Sequence, residues 1–555
     1  MKPILSDAAL VCAFAMLFGA SPAVPQAAIA RVSRTEAASW QEDLRFMARE
    51  MERRHRNLYH TVSRASFDSA VKALHERIPS LGRHQIIVGM ARIVGLVQDG
   101  HTNVSPTRDP KIGFTTLPVK LYFFKDGLFI RAAHQSQARL AGSRVLRIGT
   151  MTPDQAYSRA RELVGRDNEM DARFFAPFLL AMPEVLHALG ITSSMTEATF
   201  VLDRDGKQET VTLRPLGPAS MMPSDTDVSW WPDSSWTDMR RRGIPPLWLR
   251  EDPSNEYWYE YVPEDRLVYV QYNKVANKEN ENIERFSDRL RAFVDSAPVD
   301  RLVLDLRLNR GGNGSLNRPL LLSLIKARHL EGRGKLFVII GRSTFSAAQF
   351  LVNELEQYTD AVFVGEPSGG KANSYGDSRK IILPRSGITV RVSTLWWQED
   401  PRDDREWKAP DIAAELTSHE YSSNMDPAVE AVRKYRIEPT LVEQMEQALD
   451  VGGIKRAIGE YKRYRTDPRH VYVDTEDPVN GLGYRLLEQR RFEAAIAIFR
   501  LNAAEYPRSA NAFDSLGEAY LLAGRKEEAR RSYRRVLELD PSHANAIGML
   551  QQLAD

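Results

Sequence analysis

The chain has 555 residues, and its 75 Lys and Arg against 73 Asp and Glu give a formal net charge of +2. A chain of this length divides into several domains, each large enough to bury its own apolar core. The near balance of charge excludes a basic field for nucleic acid and a long acidic, disordered tail. We therefore expect a multidomain globular protein whose partners are not selected by bulk charge.

The first 30 residues are typical of a secretory signal peptide. Lys2 precedes an apolar stretch, and small side chains around Ala28 and Ala30 suit a signal peptidase. The chain's one cysteine, Cys12, lies in this stretch, so the mature protein would have neither disulfides nor a thiolate nucleophile. No later apolar run approaches the ~20 residues that span a bilayer. The prediction is an exported protein, periplasmic or secreted, without stable membrane insertion after signal cleavage.

Hydrophobic periodicity divides the next part of the chain into four predicted segments. Residues 31–110 carry apolar positions at helical spacing and predict a helical N-terminal domain. Residues 111–217 contain short strand-like runs and an Asp-Gly hairpin signal, which predict a β module. Residues 218–255 are rich in Trp and Pro and predict a long connection. Strand and helix candidates alternate over residues 256–417, and this alternation predicts an α/β domain.

The C-terminal region contains an internal repeat. Gly483 aligns with Gly517 at a separation of 34 positions, and the same separation relates Ala495 to Ala529. This period and pattern resemble tetratricopeptide repeats, which are helix pairs that stack around a shared core. The repeats are predicted over residues 478–555, after a helical connector at 418–477 that could hold a degenerate repeat. They are a candidate site for a protein partner.

Three hydroxyls lie close together in GRSTFSAAQF, residues 341–350: those of Ser343, Thr344 and Ser346. The preceding KLFVII predicts a buried strand and the following residues predict a helix, so Ser346 begins a helix directly after a strand. Ser346 and Gln349 have the spacing of a capping box, in which the hydroxyl only satisfies free backbone N–H groups. The same position would expose a nucleophile beside N–H groups that favour an oxyanion. The spacing leaves both alternatives open.

Three other motifs carry groups that acyl transfer needs. Residues 301–314 predict a strand that runs into Gly311 and Gly312, whose backbone can approach a bound group closely. His101 follows an Asp-Gly pair at the end of the helical domain and is a candidate general base. Lys371 lies in the glycine-rich loop GEPSGGKANSYGD, and a lysine desolvated beside a serine can also act as its base.

Together, DGHT, DLRLNRGGNG, STFSAAQF and GEPSGGKANSYGD resemble the serine peptidase family of the C-terminal processing (tail-specific) proteases and the tricorn core protease. The resemblance covers roughly residues 36–417 and implies a multidomain α+β fold. It also implies a PDZ-like β module followed by a crotonase-like ββα catalytic core. By the same resemblance, Ser346 is the nucleophile, and the N–H groups of Gly312 and Ala347 donate to the oxyanion.

The resemblance implies two alternative bases. Tail-specific members use a lysine 25 residues after the serine, which falls on Lys371. Members with a D-x-H motif use a histidine, which falls on His101. We favour His101 because a histidine pKa of ~6.5 needs little adjustment, whereas a free lysine near ~10.4 needs a large depression. The acid that orients the base is not assigned; the candidates are Asp99, Asp377, Asp403 and Asp404.

The predicted function is that of an exported serine-type endopeptidase, which forms an acyl-enzyme on Ser346 during hydrolysis of a peptide or protein substrate. One alternative is a catalytically silent peptide-binding or protein-binding scaffold of the same fold. Others are a serine hydrolase with Lys371 as base, or one that acts on a small ester or amide. No clustered His, Cys or acidic spacing and no phosphate loop is present, so neither a metal nor a cofactor is expected.

Overall fold

The computed structural model describes residues 31–106, 109–216, 230–231, 233–251 and 255–553. The predicted signal peptide, residues 1–30, lies outside the described residues, as does part of the predicted connection at 218–255. Among the helices of the described ranges, none combines the length and the apolar character that a membrane span requires.

Three helices open the described chain: α1 (Arg34–Arg54), α2 (Arg64–Arg77) and α3 (Arg83–Gly95). A capping box fixes the start of α1, where Ser33 and Glu36 each bond the other's backbone N–H. The apolar positions of α3 that gave its helical periodicity are buried. The chain then turns through the DGHT segment into β1 (Asn103–Val104). The length and packing of α3 thus determine where that segment lies.

A β module follows these helices. Its sheet has the strand order β2-β3-β4-β5-β6, with β7 paired to β3. The strands are β2 (Val119–Phe124), β3 (Gly127–His134), β4 (Arg144–Ile148), β5 (Ala198–Arg204), β6 (Lys207–Leu213) and β7 (Trp236–Asp238). Asp205 and Gly206 join β5 to β6 with φ angles of 52° and 78°, the positive values that a two-residue hairpin turn needs.

Three helices lie between β4 and β5: α4 (Pro153–Ala160), α5 (Glu169–Leu179) and α6 (Pro183–Ala188). Helix α5 packs against β2, and α6 packs against α3. Because of these contacts, the β module and the N-terminal helices share one continuous apolar core. The module is therefore fixed relative to the segment that carries His101.

The central sheet has the strand order β17-β12-β11-β10-β9-β8. Its strands are β8 (Tyr257–Val262), β9 (Leu267–Tyr272), β10 (Arg301–Asp305), β11 (Leu336–Ile340), β12 (Val362–Gly365) and β17 (Ile412–Ala413). All neighbouring pairs are parallel except β8 with β9. Carboxyl ends of parallel strands meet at one edge, so the loops after β10 and β11 lie side by side.

Helices and short strands complete the region of the central sheet. The helices are α7 (Ile283–Ser296), α8 (Asn317–Lys326) and α9 (Ala347–Tyr358). The short strands are β13 (Ser374–Gly376), β14 (Arg379–Ile382), β15 (Thr389–Val392) and β16 (Leu395–Trp397). Strand β13 pairs with β16, while β15 pairs with both β14 and β1. The pairing of β15 with β1 ties the DGHT segment to the region of the central sheet.

The C-terminal region is helical. Its helices are α10 (Ser418–Ser422), α11 (Pro427–Lys434), α12 (Leu441–Thr466), α13 (Glu476–Glu488), α14 (Phe492–Glu505), α15 (Ala510–Leu522), α16 (Lys526–Leu539) and α17 (Ala544–Gln552). The two aligned glycines occupy equivalent positions in α13 and α15. A Cβ would lie 2.5 Å from the Phe499 ring at Gly483 and 2.9 Å from the Tyr533 ring at Gly517. The repeated glycine thus lets an aromatic ring of the second helix approach the first.

Candidate active site

Ser346 lies in the turn between β11 and α9 in an uncommon backbone conformation. Its φ is 57° and its ψ is −128°, outside the regions that non-glycine residues normally adopt. Its side chain makes no capping hydrogen bond to α9; the backbone carbonyl of Ser346 accepts from the Gln349 N–H at 2.8 Å instead. The capping-box alternative is therefore wrong for Ser346, and the turn directs its hydroxyl to another partner.

That partner is His101. The Nε2 atom of His101 lies 3.0 Å from Ser346 Oγ, which is hydrogen-bonding distance between a base and the hydroxyl it would deprotonate. Lys371 makes no hydrogen bond or ion pair with Ser346 among the described residues. It is half-buried on the loop after β12, and its charge acts on the buried carboxyl of Asp167. Of the two predicted bases, the structure brings His101 to the serine.

Two buried carboxyls hold the backbone of the DGHT segment. Asp99 accepts from the His101 N–H at 2.8 Å, and Asp167 accepts from the Gly100 N–H at 2.7 Å. The pKa of Asp167 is raised to about 8 by burial and by the neighbouring Asp99 charge. Burial opposes ionisation of Asp99 too, but hydrogen bonds led by that of His55 hold its pKa below the usual range. Asp99 is thus the charged carboxylate that holds the backbone of this segment.

The ring of His101 lacks a direct carboxylate partner. Asp99 instead accepts from His55 Nε2 at 3.0 Å and from Thr102 Oγ1 at 2.6 Å. No side chain in the part of the chain that the structure describes bonds His101 Nδ1, and the nearby backbone of Tyr375 acts to raise the His101 pKa. The other candidate acids do not hydrogen-bond this nitrogen among the described residues. Asp377 accepts from Trp397 and Asp403 from Arg405, and Asp404 makes no hydrogen bond to His101 among the described residues.

The His101 ring also packs against an aromatic neighbour. Its ring centroid lies 4.7 Å from that of Phe345, the residue before the serine. The guanidinium of Arg310 lies 4.9 Å from the centroid of the Phe345 ring and 4.4 Å from that of the Phe174 ring. Arg310 Nη2 also donates to Asp171 of α5 at 3.0 Å. Sequence motifs gave no sign of Asp171 or Phe174, because α5 comes from the β module.

Burial and the charges around His101 favour its neutral imidazole form. Burial lowers the pKa of His101; the Asp99 charge opposes this effect, and the positive charge of Arg310 adds to it. A neutral imidazole is the form that can accept a proton. The site therefore keeps His101 in its basic form near neutral pH without a carboxylate on Nδ1.

The predicted oxyanion donors lie beside the serine. Gly312 and Ala347 line the same cleft as Ser346 and His101, and neither N–H has an acceptor among the described residues. Gly311 brings the two loops into contact: a Cβ at this position would lie 2.7 Å from the Ala347 nitrogen and 2.8 Å from Ser346 Cβ. Two free N–H groups next to the hydroxyl match what a tetrahedral oxyanion requires.

The cleft that contains Ser346 has a volume of about 780 Å³. The loop after β10 forms one side, α9 another, and the β13–β16 pair a third. This space accommodates several residues of an extended peptide. Among the described residues, no group of three or more His, Cys, Asp or Glu side chains is arranged to hold a metal ion.

Comparisons with known proteins agree with this architecture. Residues 510–543 match the family model of the tetratricopeptide repeat, which confirms the predicted repeat there. Mature CPAF has a TM-score of 0.50 at 13% identity, over 72% of this chain and 96% of CPAF. The crystal structure of a CPAF mutant has a TM-score of 0.52 at 12% identity, over 73% of this chain and 99% of that one.

A further structural neighbour is the photosystem II D1 C-terminal processing protease, with a TM-score of 0.32, 14% identity, and coverage of 73% of this chain and 97% of that one. A comparison with curated protein sequences gives no match. The predicted resemblance is thus confirmed as a likeness to solved structures. The chain is a mixed α/β multidomain protein with the fold of CPAF, followed by a helical tetratricopeptide region.

Proposed function

We propose that this protein is a serine-type endopeptidase with Ser346 as nucleophile and His101 as general base. The observation that carries the proposal is the 3.0 Å contact between His101 Nε2 and Ser346 Oγ, at a serine whose side chain does not cap its helix. A serine kept only as a helix cap would bond the backbone N–H groups of α9. The fold shared with CPAF and the free N–H groups of Gly312 and Ala347 support the same function.

In the proposed reaction, His101 Nε2 takes the proton of Ser346 Oγ while this oxygen attacks the carbonyl carbon of a peptide bond. The resulting oxyanion accepts hydrogen bonds from the N–H groups of Gly312 and Ala347. The C–N bond then breaks, and the amine leaves with the proton from His101. A water molecule loses a proton to His101 and attacks the ester, which releases the acid and restores the serine.

The other parts of the molecule have proposed roles around this centre. We infer a PDZ-like fold for the module of β2–β6 and a crotonase-like fold for the catalytic core. Asn168, which caps α5, donates from Nδ2 to the carbonyls of Ser368 and Glu406, each at 3.0 Å, and so holds the module against the catalytic loops. We also propose that residues 1–30 direct export to the periplasm or outside the cell. The tetratricopeptide repeats are the proposed binding site for a protein partner.

A fluorophosphonate probe tests the nucleophile directly. We expect stoichiometric labelling of the wild-type protein, complete loss of labelling in Ser346→Ala, and normal labelling in Ser343→Ala. Ser343 is the matched control because it lies in the same turn, is buried and takes no part in the proposed reaction. Mass spectrometry of the labelled peptide identifies the modified residue. An unlabelled but fully folded wild-type protein would favour the silent scaffold, and labelling that survives in Ser346→Ala would place the nucleophile elsewhere.

The pH dependence of kcat/KM tests the charge beside the base. Activity should rise with pH as His101 loses its proton, with a midpoint below ~6.5 because burial and Arg310 lower its pKa. The negative charges of Asp99 and Asp377 raise the His101 pKa and partly offset this lowering. Arg310→Gln removes a positive charge, so the His101 pKa should rise and the acidic limb should move to higher pH. Arg328→Gln, an exposed site outside the cleft, should leave the profile unchanged; an unshifted profile in Arg310→Gln would contradict the assignment.

A further inference from the structure

One face of α9 continues the catalytic cleft away from the nucleophile. Ser346, Phe350 and Glu354 are spaced four residues apart, so they lie in a row on one side of the helix, and all three line the cleft. The distance along the helix from Ser346 to Glu354 is ~12 Å at 1.5 Å per residue. An extended peptide of about four residues covers that length. A substrate bound at Ser346 along this row therefore passes Phe350 and reaches Glu354.

The lining of the cleft includes two hydrogen-bond acceptors without donors among the described residues. Glu354 Oε2 is buried and has no hydrogen-bond partner among the described residues. Asn317, 2% exposed, also lines the cleft; its Nδ2 donates to the Ala347 carbonyl at 2.7 Å, which fixes the amide orientation. Its Oδ1 is consequently an acceptor, and it too lacks a partner in the described part of the chain. A buried acceptor without a donor is costly, so a ligand donor that reaches either oxygen would be favoured.

The charges of the lining are all of one sign. Glu354, Asp377 and Glu399 line the cleft, and no Lys or Arg does so among the described residues. Burial raises the pKa of Glu354, the Glu399 charge raises it further, and the exposed Arg318 only partly offsets them. Neither Glu354 nor Glu399 forms a salt bridge within the described ranges. A cation between the two carboxyls would stabilise both in their charged forms.

Aromatic rings form the wall beside these carboxyls. The Phe350 and Trp397 ring centroids lie 5.9 Å apart, and Trp397 Nε1 donates to Asp377 at 2.7 Å, which fixes the indole. Trp397 is 41% exposed, so its face is available to a ligand in the cleft. Aromatic faces pack against the aliphatic part of a long cationic side chain and attract its charge.

We propose that this part of the cleft is a substrate subsite for a lysine or arginine side chain, with Glu354 and Glu399 as the groups that bind its charge and Asn317 Oδ1 as a further acceptor. The inference rests on the proposed peptidase function, which supplies the peptide. The aliphatic part of the bound side chain packs against the wall that Phe350 and Trp397 form. The enzyme therefore selects peptides that carry a basic residue within a few positions of the scissile bond.

Binding measurements with the Ser346→Ala protein test the subsite separately from catalysis. The probes are fluorescent peptides of one sequence that carry Lys, norleucine or Glu at a single scanned position. We expect one position at which the Lys peptide binds about tenfold tighter than the norleucine peptide and tighter still than the Glu peptide. Adding Glu354→Gln and Glu399→Gln should remove the preference for Lys over norleucine, and Glu354→Lys should favour the Glu peptide.

Asp360→Asn provides the matched control, because it removes an exposed carboxylate just beyond α9 and outside the cleft lining. It should leave the Lys preference unchanged. Equal binding of the three peptides at every position, or a Lys preference that survives both glutamine substitutions, would overturn the subsite. The proposed function fails separately, if wild-type protein hydrolyses none of the peptides that the Ser346→Ala protein binds.

Discussion

His101→Ala is expected to lower kcat/KM for peptide hydrolysis by about 10⁴-fold or more, which is the effect of removing the base from a serine protease site. The reason is geometric: His101 Nε2 is the group in hydrogen-bonding contact with Ser346 Oγ, at 3.0 Å. Without it the hydroxyl keeps its proton. Hydrolysis of a fluorogenic peptide by purified wild-type and variant protein measures the effect, and thermal unfolding shows whether the variant is folded.

Lys371→Ala is the matched comparison for the base. We expect it to retain most of the activity, since Lys371 makes no hydrogen bond to Ser346 in the described structure. Its charge lowers the pKa of Asp167, which holds the Gly100 N–H, so a modest effect through the DGHT segment is consistent with the assignment. The opposite pattern, with activity abolished in Lys371→Ala and retained in His101→Ala, would make the lysine the base.

The principal groups of the site could be predicted from sequence because each occupies a position with a local signature. Ser346 follows a buried strand and precedes a helix, and Gly312 follows another strand of the same kind. Parallel strands bring such loops to one edge of a sheet. His101 is 245 residues away from Ser346 in the chain. Its Asp-Gly context marks it as a candidate base, but its pairing with Ser346 was implied only by the resemblance of motif order, since no spacing rule connects such distant residues.

The surroundings of the base were not predictable in this way. Phe345 was visible as a neighbour of Ser346, but its contacts with His101 and Arg310 depend on side-chain directions that periodicity does not give. The partners of Arg310 and Asp99 are distant in the chain: Asp171 lies on α5 of the β module, and His55 follows α1. These contacts arise from tertiary packing, which a sequence pattern does not give.

The same distinction applies to the fold. The 34-residue repeat predicted the pairing of helices because its glycines have a local role. An aromatic ring of the next helix packs against Gly483, and another packs against Gly517. The shared core of the N-terminal helices and the β module had no such signature. It forms through α5 and α6, whose apolar faces pack against β2 and α3. Periodicity identifies an apolar face, but it does not identify the surface that covers that face.

Gly311→Ala is expected to lower kcat/KM by about 10²-fold or more, the effect of losing an oxyanion donor. Gly311 has a φ of +93°, which an alanine adopts only with strain, and the added Cβ would lie 2.7 Å from the Ala347 nitrogen and 2.8 Å from Ser346 Cβ. Since backbone atoms cannot rotate away, the loop after β10 must withdraw from α9. Ala347 N–H and Gly312 N–H would then no longer point at one oxygen.

Gly314→Ala is the control, because it shows whether the loop after β10 tolerates an added methyl group at a neighbouring position. A Cβ at Gly314 would lie 3.5 Å from the Phe350 ring and 3.7 Å from Ala347 Cβ, which are ordinary packing distances, so activity should change little. Transition-state binding gives the sharper readout: a peptide aldehyde, whose adduct carries the oxyanion, should lose affinity for Gly311→Ala more than the matching alcohol does. Equal losses for both would show that Gly311 maintains the peptide cleft in general, and that the oxyanion donors lie elsewhere.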